Sequence, residues 1–334
     1  MKFNFKLVLL AFVFTTCNND DNETNDIITQ NPQENIPTVK SNATYTVLLD
    51  EDVIYAEGLF HESLNSTTAI TKPLKLDVYY PFNDLENRPV YFFIHGGGFV
   101  GGSKQQTQVV NLASYYTSRG WVFVSIDYRL RDDNGTVPQE WEDFATNLPA
   151  GQVRQFLAIY PAQRDTKAAL RWLVANAERY AVNTDYITVG GGSAGAITAV
   201  TLGVTNQEDF RDEMDINQDP TLSSTNLEQS YQIKTIIDLW GSNMALEALY
   251  NVYGLQRFDS NDPPLFIAHG TEDPTVPFSK AENLKATYDS NGVVTDYYPL
   301  AGLGHGPWNA TVAGKRLEEL AFYFIVEQQN LLVN

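Results

Sequence analysis

Two patterns of apolar residues recur along most of this chain. Some segments are apolar at nearly every position, as expected of strands buried on both faces of a parallel sheet. Others place apolar residues at helical spacing. The predicted strands comprise residues 45–49, 54–59, 74–80, 90–94, 121–126, 186–189, 233–240, 265–269 and 294–300, and the predicted helices 105–119, 165–180, 196–200, 278–288 and 312–326. Early strands followed by alternating strands and helices predict an α/β three-layer sandwich with a mostly parallel sheet.

The pattern predicts one domain over residues 43–334, with two inserts on the side of the βα loops. The first insert, 131–161, has no clear core period but contains several aromatic residues, so we predict an excursion over the sheet and a candidate lid. The second insert, 206–230, is polar.

The N-terminus differs in pattern from the rest. Residues 1–16 combine Lys2 and Lys6 with an apolar run over 7–14, which is typical of a signal peptide. Cys17 follows directly and resembles the lipidated cysteine of bacterial lipoproteins. Residues 17–42 are predicted to be a lipidated cysteine followed by a disordered acidic tether.

The location of the protein is a further expectation from this segment. The acidic residues after Cys17 resemble surface-export signals of Bacteroidetes-type lipoproteins. We therefore expect a cell-envelope lipoprotein of the outer membrane or cell surface, held to the membrane by its lipid anchor. A secreted or periplasmic protein is the alternative.

Composition excludes several functions. The 334 residues carry a net charge of −19 at pH 7, which is unsuited to contacts with nucleic-acid phosphates. Cys17 is the one cysteine, so no intrachain disulfide or cysteine-based zinc site can form. The acidic stretch 215–219 has calcium-loop spacing, but Pro220 stands where such a loop requires glycine, and Asn226 where it requires glutamate. We predict no metal and no cofactor.

The strongest chemical signal lies at residues 191–195, which read Gly-Gly-Ser-Ala-Gly between a predicted strand and a predicted helix. This context predicts a nucleophile elbow with Ser193 at its turn. Gly191 and Gly195 would allow strand and helix to pack closely.

A serine nucleophile requires a base and an orienting acid. Among the four histidines, His305 lies in a loop after the last strand, on the face that βα loops share with the elbow, and is the best candidate. His61, His95 and His269 are less suitable. The loop after strand 265–269 offers Glu272 or Asp273 as the acid.

Residues 95–99, His-Gly-Gly-Gly-Phe, follow a buried strand. Without Cβ atoms, the amides of Gly97 and Gly98 can approach a tetrahedral oxyanion. The amide of Ala194, one residue past the serine, would complete the oxyanion hole.

Together these motifs resemble the α/β-hydrolases, and within them the carboxylesterase branch with an HGGG loop, which includes hormone-sensitive-lipase-like esterases. The resemblance covers about residues 70–310 and rests on His95-Gly-Gly-Gly, Gly191-x-Ser193-x-Gly195, His269-Gly-x-x-Asp273-x-x-Val276-Pro277 and Gly304-His305. Carried over by position, it implies Ser193 as the nucleophile, Asp273 as the acid and His305 as the base.

The resemblance implies a serine carboxylesterase that hydrolyses small-molecule esters through an acyl-enzyme, with short acyl or aryl esters, or acyl groups on polysaccharides, as substrates. A peptidase or lipase of the same fold is the alternative. A non-catalytic surface-binding homologue is a weaker one. A dinucleotide-binding protein is another, because the glycines at 96, 98 and 101 fit Gly-x-Gly-x-x-Gly after a strand.

Overall fold

The computed structural model describes residues 36–64 and 66–334. Among these, the strands are β1 (Thr38–Val39), β2 (Val47–His61), β3 (Ala69–Pro81), β4 (Arg88–Ile94), β5 (Val122–Ile126), β6 (Val182–Gly192), β7 (Ile233–Leu239), β8 (Leu265–Gly270), β9 (Thr295–Leu300), β10 (Thr311–Val312), β11 (Lys315–Arg316) and β12 (Leu332–Val333). The helices are α1 (Thr107–Thr117), α2 (Gln139–Ala145), α3 (Ala150–Ala175), α4 (Ala194–Val204), α5 (Met244–Tyr253), α6 (Phe278–Asn291) and α7 (Leu317–Gln329).

Eight strands form the central sheet in the order β2-β3-β5-β4-β6-β7-β8-β9. β2 and β3 pair antiparallel, and β3 pairs antiparallel with β5. All remaining neighbours are parallel. The predicted mostly parallel sheet with an antiparallel start is confirmed. Parallel strands bring the carboxyl ends of β4, β6, β8 and β9 to one edge, where their loops can share a site.

Helices cover both faces of the sheet. Alternate residues of β4, β5, β7 and β8 enter two separate cores, as Ile236 and Ile237 of β7 show. One core includes buried side chains of α3, α4, α5 and α6. The other includes those of α1 and α7. The predicted three-layer sandwich is therefore confirmed.

The segment 131–161 is more regular than predicted. It contains α2 and the first part of α3, which begins at Ala150 rather than at 165 and continues through Pro161. A proline inside a helix costs about 3 kcal/mol. Packing offsets this cost, because Phe156 stacks on Trp141 at 4.8 Å and Tyr160 meets the same indole at 5.5 Å.

Both ends of the described region also depart from the prediction. The last helix begins at Leu317 rather than at 312, because Ala313 and Gly314 take positive φ and turn the chain into the β10–β11 hairpin. The predicted disordered tether reaches residue 42, but β1 pairs with β12 and Val39 is fully buried. Residues 38 and 39 are therefore part of the folded domain.

The predicted signal peptide, Cys17 and most of the predicted tether lie outside the described residues. In the part of the chain that the structure describes, no helix combines the length and the apolar character that crossing a membrane requires.

Candidate active site

Ser193 occupies the sharp turn between β6 and α4. Its backbone has φ 55° and ψ −121°, a conformation that is strained for a residue with a side chain. The flanking glycines are required by contact, since a Cβ on Gly191 would lie 2.2 Å from the carbonyl carbon of Gly195. A Cβ on Gly195 would lie 2.0 Å from the carbonyl oxygen of Ile94. The serine side chain is thus presented at the strand end by a turn that only glycines on both sides permit.

The structure joins the three side chains of the predicted triad by hydrogen bonds. His305 Nδ1 lies 2.7 Å from Asp273 Oδ2, and His305 Nε2 lies 2.9 Å from Ser193 Oγ. An ionised carboxylate only accepts hydrogen bonds, so Nδ1 of the neutral ring carries the proton. Nε2 then has a free lone pair and accepts the hydrogen bond from the serine hydroxyl.

The geometry decides between Glu272 and Asp273, both of which the sequence offers as the acid. Asp273 is buried, whereas Glu272 is exposed to solvent. Asp273 Oδ1 accepts hydrogen bonds from the amides of Thr275 at 2.8 Å and Val276 at 2.9 Å, which leaves Oδ2 for His305. Burial raises the pKa of Asp273, but the hydrogen bonds from His305 and these two amides outweigh it and hold the pKa below its ordinary value.

His269 is buried beside the same carboxylate. Its Nε2 lies 2.9 Å from the carbonyl oxygen of Val276 and 3.2 Å from Asp273 Oδ2. Both are acceptors, so Nε2 carries the proton. Burial lowers the pKa of His269, which favours the neutral ring. His269 therefore supports the loop that carries Asp273 and does not contact Ser193, as expected from its lower suitability as a base.

The glycine loop after β4 is folded so that the carbonyl groups of Gly96 and Gly97 accept hydrogen bonds, while the amides of Gly97 and Gly98 donate none within the described residues. His95 Nδ1 donates to the carbonyl of Gly96 at 2.7 Å, and the amide of Val100 donates to the carbonyl of Gly97 at 3.0 Å. A trans peptide directs its N–H opposite to its C=O. The amides of Gly97 and Gly98 therefore point away from these bonds, and neither has an acceptor within residues 36–64 and 66–334.

This loop lies directly against the elbow. A Cβ on Gly96 would be 3.3 Å from the Cβ of Ser193 and 2.5 Å from the carbonyl oxygen of Gly192. Ala194 is the first residue of α4, so its amide has no intrahelical acceptor. The three predicted oxyanion donors thus belong to two backbone segments in contact beside Ser193.

Tyr128 fixes the start of the glycine loop. Its ring stacks on His95 at 4.4 Å, and its hydroxyl donates to the carbonyl of His95 at 2.9 Å. The next residue, Arg129, forms a buried ion pair with Asp165 of α3 at 2.6 Å. Burial lowers the pKa of His95, which favours the neutral ring. The Nδ1–H of this ring donates to the carbonyl of Gly96.

An open cleft of about 340 Å³ lies over Ser193. Its lining includes two tryptophans that sequence reasoning missed, Trp240 and Trp308, whose rings meet edge to face at 4.9 Å. A Cβ on Gly192 would lie 3.3 Å from Trp240 Nε1 and from Trp308 Cζ2, so both indoles border the nucleophile turn. The only sequence signal was position: Trp240 directly follows β7, and Trp308 lies three residues after His305.

The acidic stretch 215–219 is engaged in local turns. Asp215 accepts from the amides of Asn217 and Gln218, and Asp219 accepts from the amide of Thr221. Among residues 36–64 and 66–334, no group of three or more His, Cys, Asp or Glu side chains could hold a metal ion.

Comparison with known proteins agrees with this geometry. Esterase LipC of Mycobacterium tuberculosis is 25% identical over 239 residues, which cover 65% of this chain and 53% of LipC. A thermophilic esterase from Thermogutta terrifontis, solved with propionate bound, superposes with a TM-score of 0.57 at 24% identity, covering 83% of this chain and 93% of that one. A truncated carbohydrate esterase from gut microbiota superposes with a TM-score of 0.55 at 20% identity, covering 87% and 99%.

The chain spans about half the length of LipC, and less of several other curated relatives. The two solved structures share its α/β-hydrolase fold. The BD-FAE family matches residues 76–149 and 154–254, just over half of the chain, including the glycine loop and the elbow. The chain therefore belongs to the BD-FAE family of α/β-hydrolases.

Proposed function

We propose that this protein is a serine carboxylesterase in which Ser193 is the nucleophile, His305 the general base and acid, and Asp273 the residue that orients His305. The observation that carries the proposal is the continuous hydrogen-bonded series from Asp273 through His305 to Ser193 Oγ, beside backbone amides with no acceptor in the described region. The similarity to LipC, itself named an esterase, supports it.

The geometry supports a two-step acyl transfer. Ser193 Oγ attacks the ester carbonyl carbon while its proton passes to His305 Nε2. The carbonyl oxygen becomes an oxyanion that accepts hydrogen bonds from the amides of Gly97, Gly98 and Ala194. His305 returns the proton to the departing alcohol oxygen, and the C–O bond to the alcohol breaks. Water then repeats the sequence, releasing the acid and the free serine.

The cleft favours a short acyl group. Trp240 and Trp308 close the space beside Gly192, and Trp240 is almost fully buried, so a long chain would have to displace a packed indole. The cleft as a whole is open to solvent, which leaves room for a larger alcohol portion. Acylated polysaccharides are therefore included among the candidate substrates.

Hydrolysis of a substrate series tests this proposal. We expect p-nitrophenyl acetate to be hydrolysed with a kcat/KM at least tenfold above that of the octanoate, since displacing a packed side chain costs about 1–3 kcal/mol. Acetylated xylan and a peptide p-nitroanilide complete the series. Preference for the octanoate would contradict the short acyl pocket, and peptide cleavage without ester cleavage would favour a peptidase.

We also propose that the protein is a cell-envelope lipoprotein of the outer membrane or cell surface, anchored through lipid on Cys17. The position of the one cysteine, which two threonines separate from the apolar run 7–14, supports this. A Cys17→Ser variant should lose the lipid and move from the membrane fraction to the soluble fraction, because no second cysteine can substitute. Fractionation and mass spectrometry of the N-terminal peptide measure this. An unchanged distribution would contradict the anchor.

A further inference from the structure

We propose that Gln155, on α3, is a positioning residue that holds the oxyanion loop, defined here as residues 95–102, in its productive conformation. The inference rests on the proposed esterase function. Gln155 is exposed and 57 residues distant in sequence from Gly98, to whose carbonyl its Nε2 donates a hydrogen bond of 2.8 Å.

Four consecutive carbonyl groups of the loop, those of residues 96–99, are held from two sources. Those of Gly96 and Gly97 accept from the loop itself, through His95 and the amide of Val100. Those of Gly98 and Phe99 accept from the segment 131–161. Gln155 holds the first, and the amide of Arg131 holds the second at 2.7 Å. Gly98 is thus the point at which the loop, held at its start by Tyr128, comes to depend on the segment 131–161.

Gly98 is also the position where such support has most effect. It has φ +62° and carries one of the three proposed oxyanion donors. Glycine has the widest choice of backbone conformations, so the peptide groups on either side of Gly98 can rotate at little cost. A hydrogen bond to its carbonyl fixes the peptide group between Gly98 and Phe99. The preceding peptide group, which contains the Gly98 amide, is held through the Gly97 carbonyl by Val100, so Gln155 anchors the other side of the same residue. Donors aimed in advance at the oxyanion are what make such a site effective.

The part of α3 that carries Gln155 contacts α2 and the turn at residues 131–133. Its neighbour Phe156 stacks on Trp141, and its other neighbour Arg154 forms an ion pair with Asp132 at 2.9 Å. Asp132 follows Arg131, whose amide holds the loop one residue further on. α3 and the turn at residues 131–133 therefore hold consecutive carbonyls of the oxyanion loop from one connected structure.

Two substitutions at Gln155 separate hydrogen bonding from packing. Gln155→Glu keeps the size of the side chain but replaces the donor by an acceptor. Gln155→Lys keeps a donor that can reach the same carbonyl. Gln152→Ala is the matched control, because Gln152 is an exposed glutamine one turn earlier on α3 whose side chain makes no hydrogen bond within the described residues.

We expect Gln155→Glu to lower kcat for p-nitrophenyl acetate by about fivefold to tenfold, with KM within twofold, since the support is required in the transition state. A trifluoromethyl ketone, which forms a tetrahedral adduct with the serine, should lose affinity by a similar factor. Gln155→Lys and Gln152→Ala should keep kcat within twofold, and all three variants should melt within about 3 °C of the parent.

Several outcomes would overturn the role of Gln155. These are a wild-type kcat in Gln155→Glu, an equal loss in the Glu and Lys variants, or a change in KM alone. A lower melting temperature that parallels the loss of activity would likewise assign Gln155 to stability. Failure of the esterase proposal is distinguished by Ser193→Ala in the same assay, because an active Ser193→Ala enzyme would reject the site whatever the Gln155 variants show.

Discussion

Replacement of Ser193 by alanine is expected to lower kcat for p-nitrophenyl acetate by about 10⁵- to 10⁶-fold, because among the described residues Ser193 carries the one hydroxyl that is hydrogen-bonded to His305. His305 Nε2 has Ser193 Oγ as its partner at 2.9 Å, and alanine leaves that nitrogen with nothing to deprotonate. The residual rate would come from the oxyanion donors and from binding alone. Steady-state kinetics with highly purified protein measures the loss.

The fold should survive this change. Alanine keeps the Cβ at the turn and removes one hydroxyl, and Ser193 already has the φ of 55° that any side chain at this position must adopt. The melting temperature should therefore stay within about 3 °C of the parent or rise, since active-site strain is relieved. Turnover undiminished in a correctly folded Ser193→Ala protein would reject Ser193 as the nucleophile.

Asp273→Asn is expected to lower kcat by about 10³- to 10⁴-fold, through the tautomer of His305. The amides of Thr275 and Val276 both donate to Oδ1, so the asparagine would place its carbonyl oxygen there. Its NH₂ group would then face His305 Nδ1 and donate to it. The imidazole proton would move to Nε2, which could no longer accept the proton of Ser193.

Glu272→Gln is the matched control for this prediction. Glu272 is adjacent in sequence but exposed, and its side chain makes no hydrogen bond to His305 among the described residues. We expect its kcat within twofold of the parent. Kinetics of both variants, with ¹⁵N NMR of the histidine rings, measures rate and tautomer together. A larger loss at Glu272 than at Asp273 would reverse the assignment.

Much of this architecture could be predicted because burial leaves a strong local pattern. The fully apolar β4 and the strand before Ser193 identify the centre of a parallel sheet. The choice between Glu272 and Asp273 could not be made from their own chemistry, since both follow the same strand. It depends on which carboxylate accepts the hydrogen bonds of the Thr275 and Val276 amides and is thereby buried. Asp273 was favoured by the family resemblance and not by the local pattern.

The features that could not be predicted depend on contacts between distant segments. The apolar pattern predicts a helix only from residue 165, but the helix begins at Ala150 and passes through Pro161, with Phe156 stacked on Trp141. Gln155 contacts Gly98 only because that helix extends back to residue 150. Trp240, directly after β7, has a positive φ and lines the cleft. A positive φ is rare for a bulky residue, and nothing in the neighbouring sequence predicts it.

An acyl-enzyme on Ser193 is tested by rapid acid quench of the protein with p-nitrophenyl acetate, followed by peptide mass spectrometry. When deacylation limits the rate, we expect a burst of p-nitrophenol equal to the enzyme concentration. During turnover we expect an acetyl group on the peptide that contains Ser193, at most one per protein and absent from the Ser193→Ala variant, which is the acyl-enzyme. Turnover with no acetylated Ser193 peptide, or with the acetyl group on another residue, would contradict it.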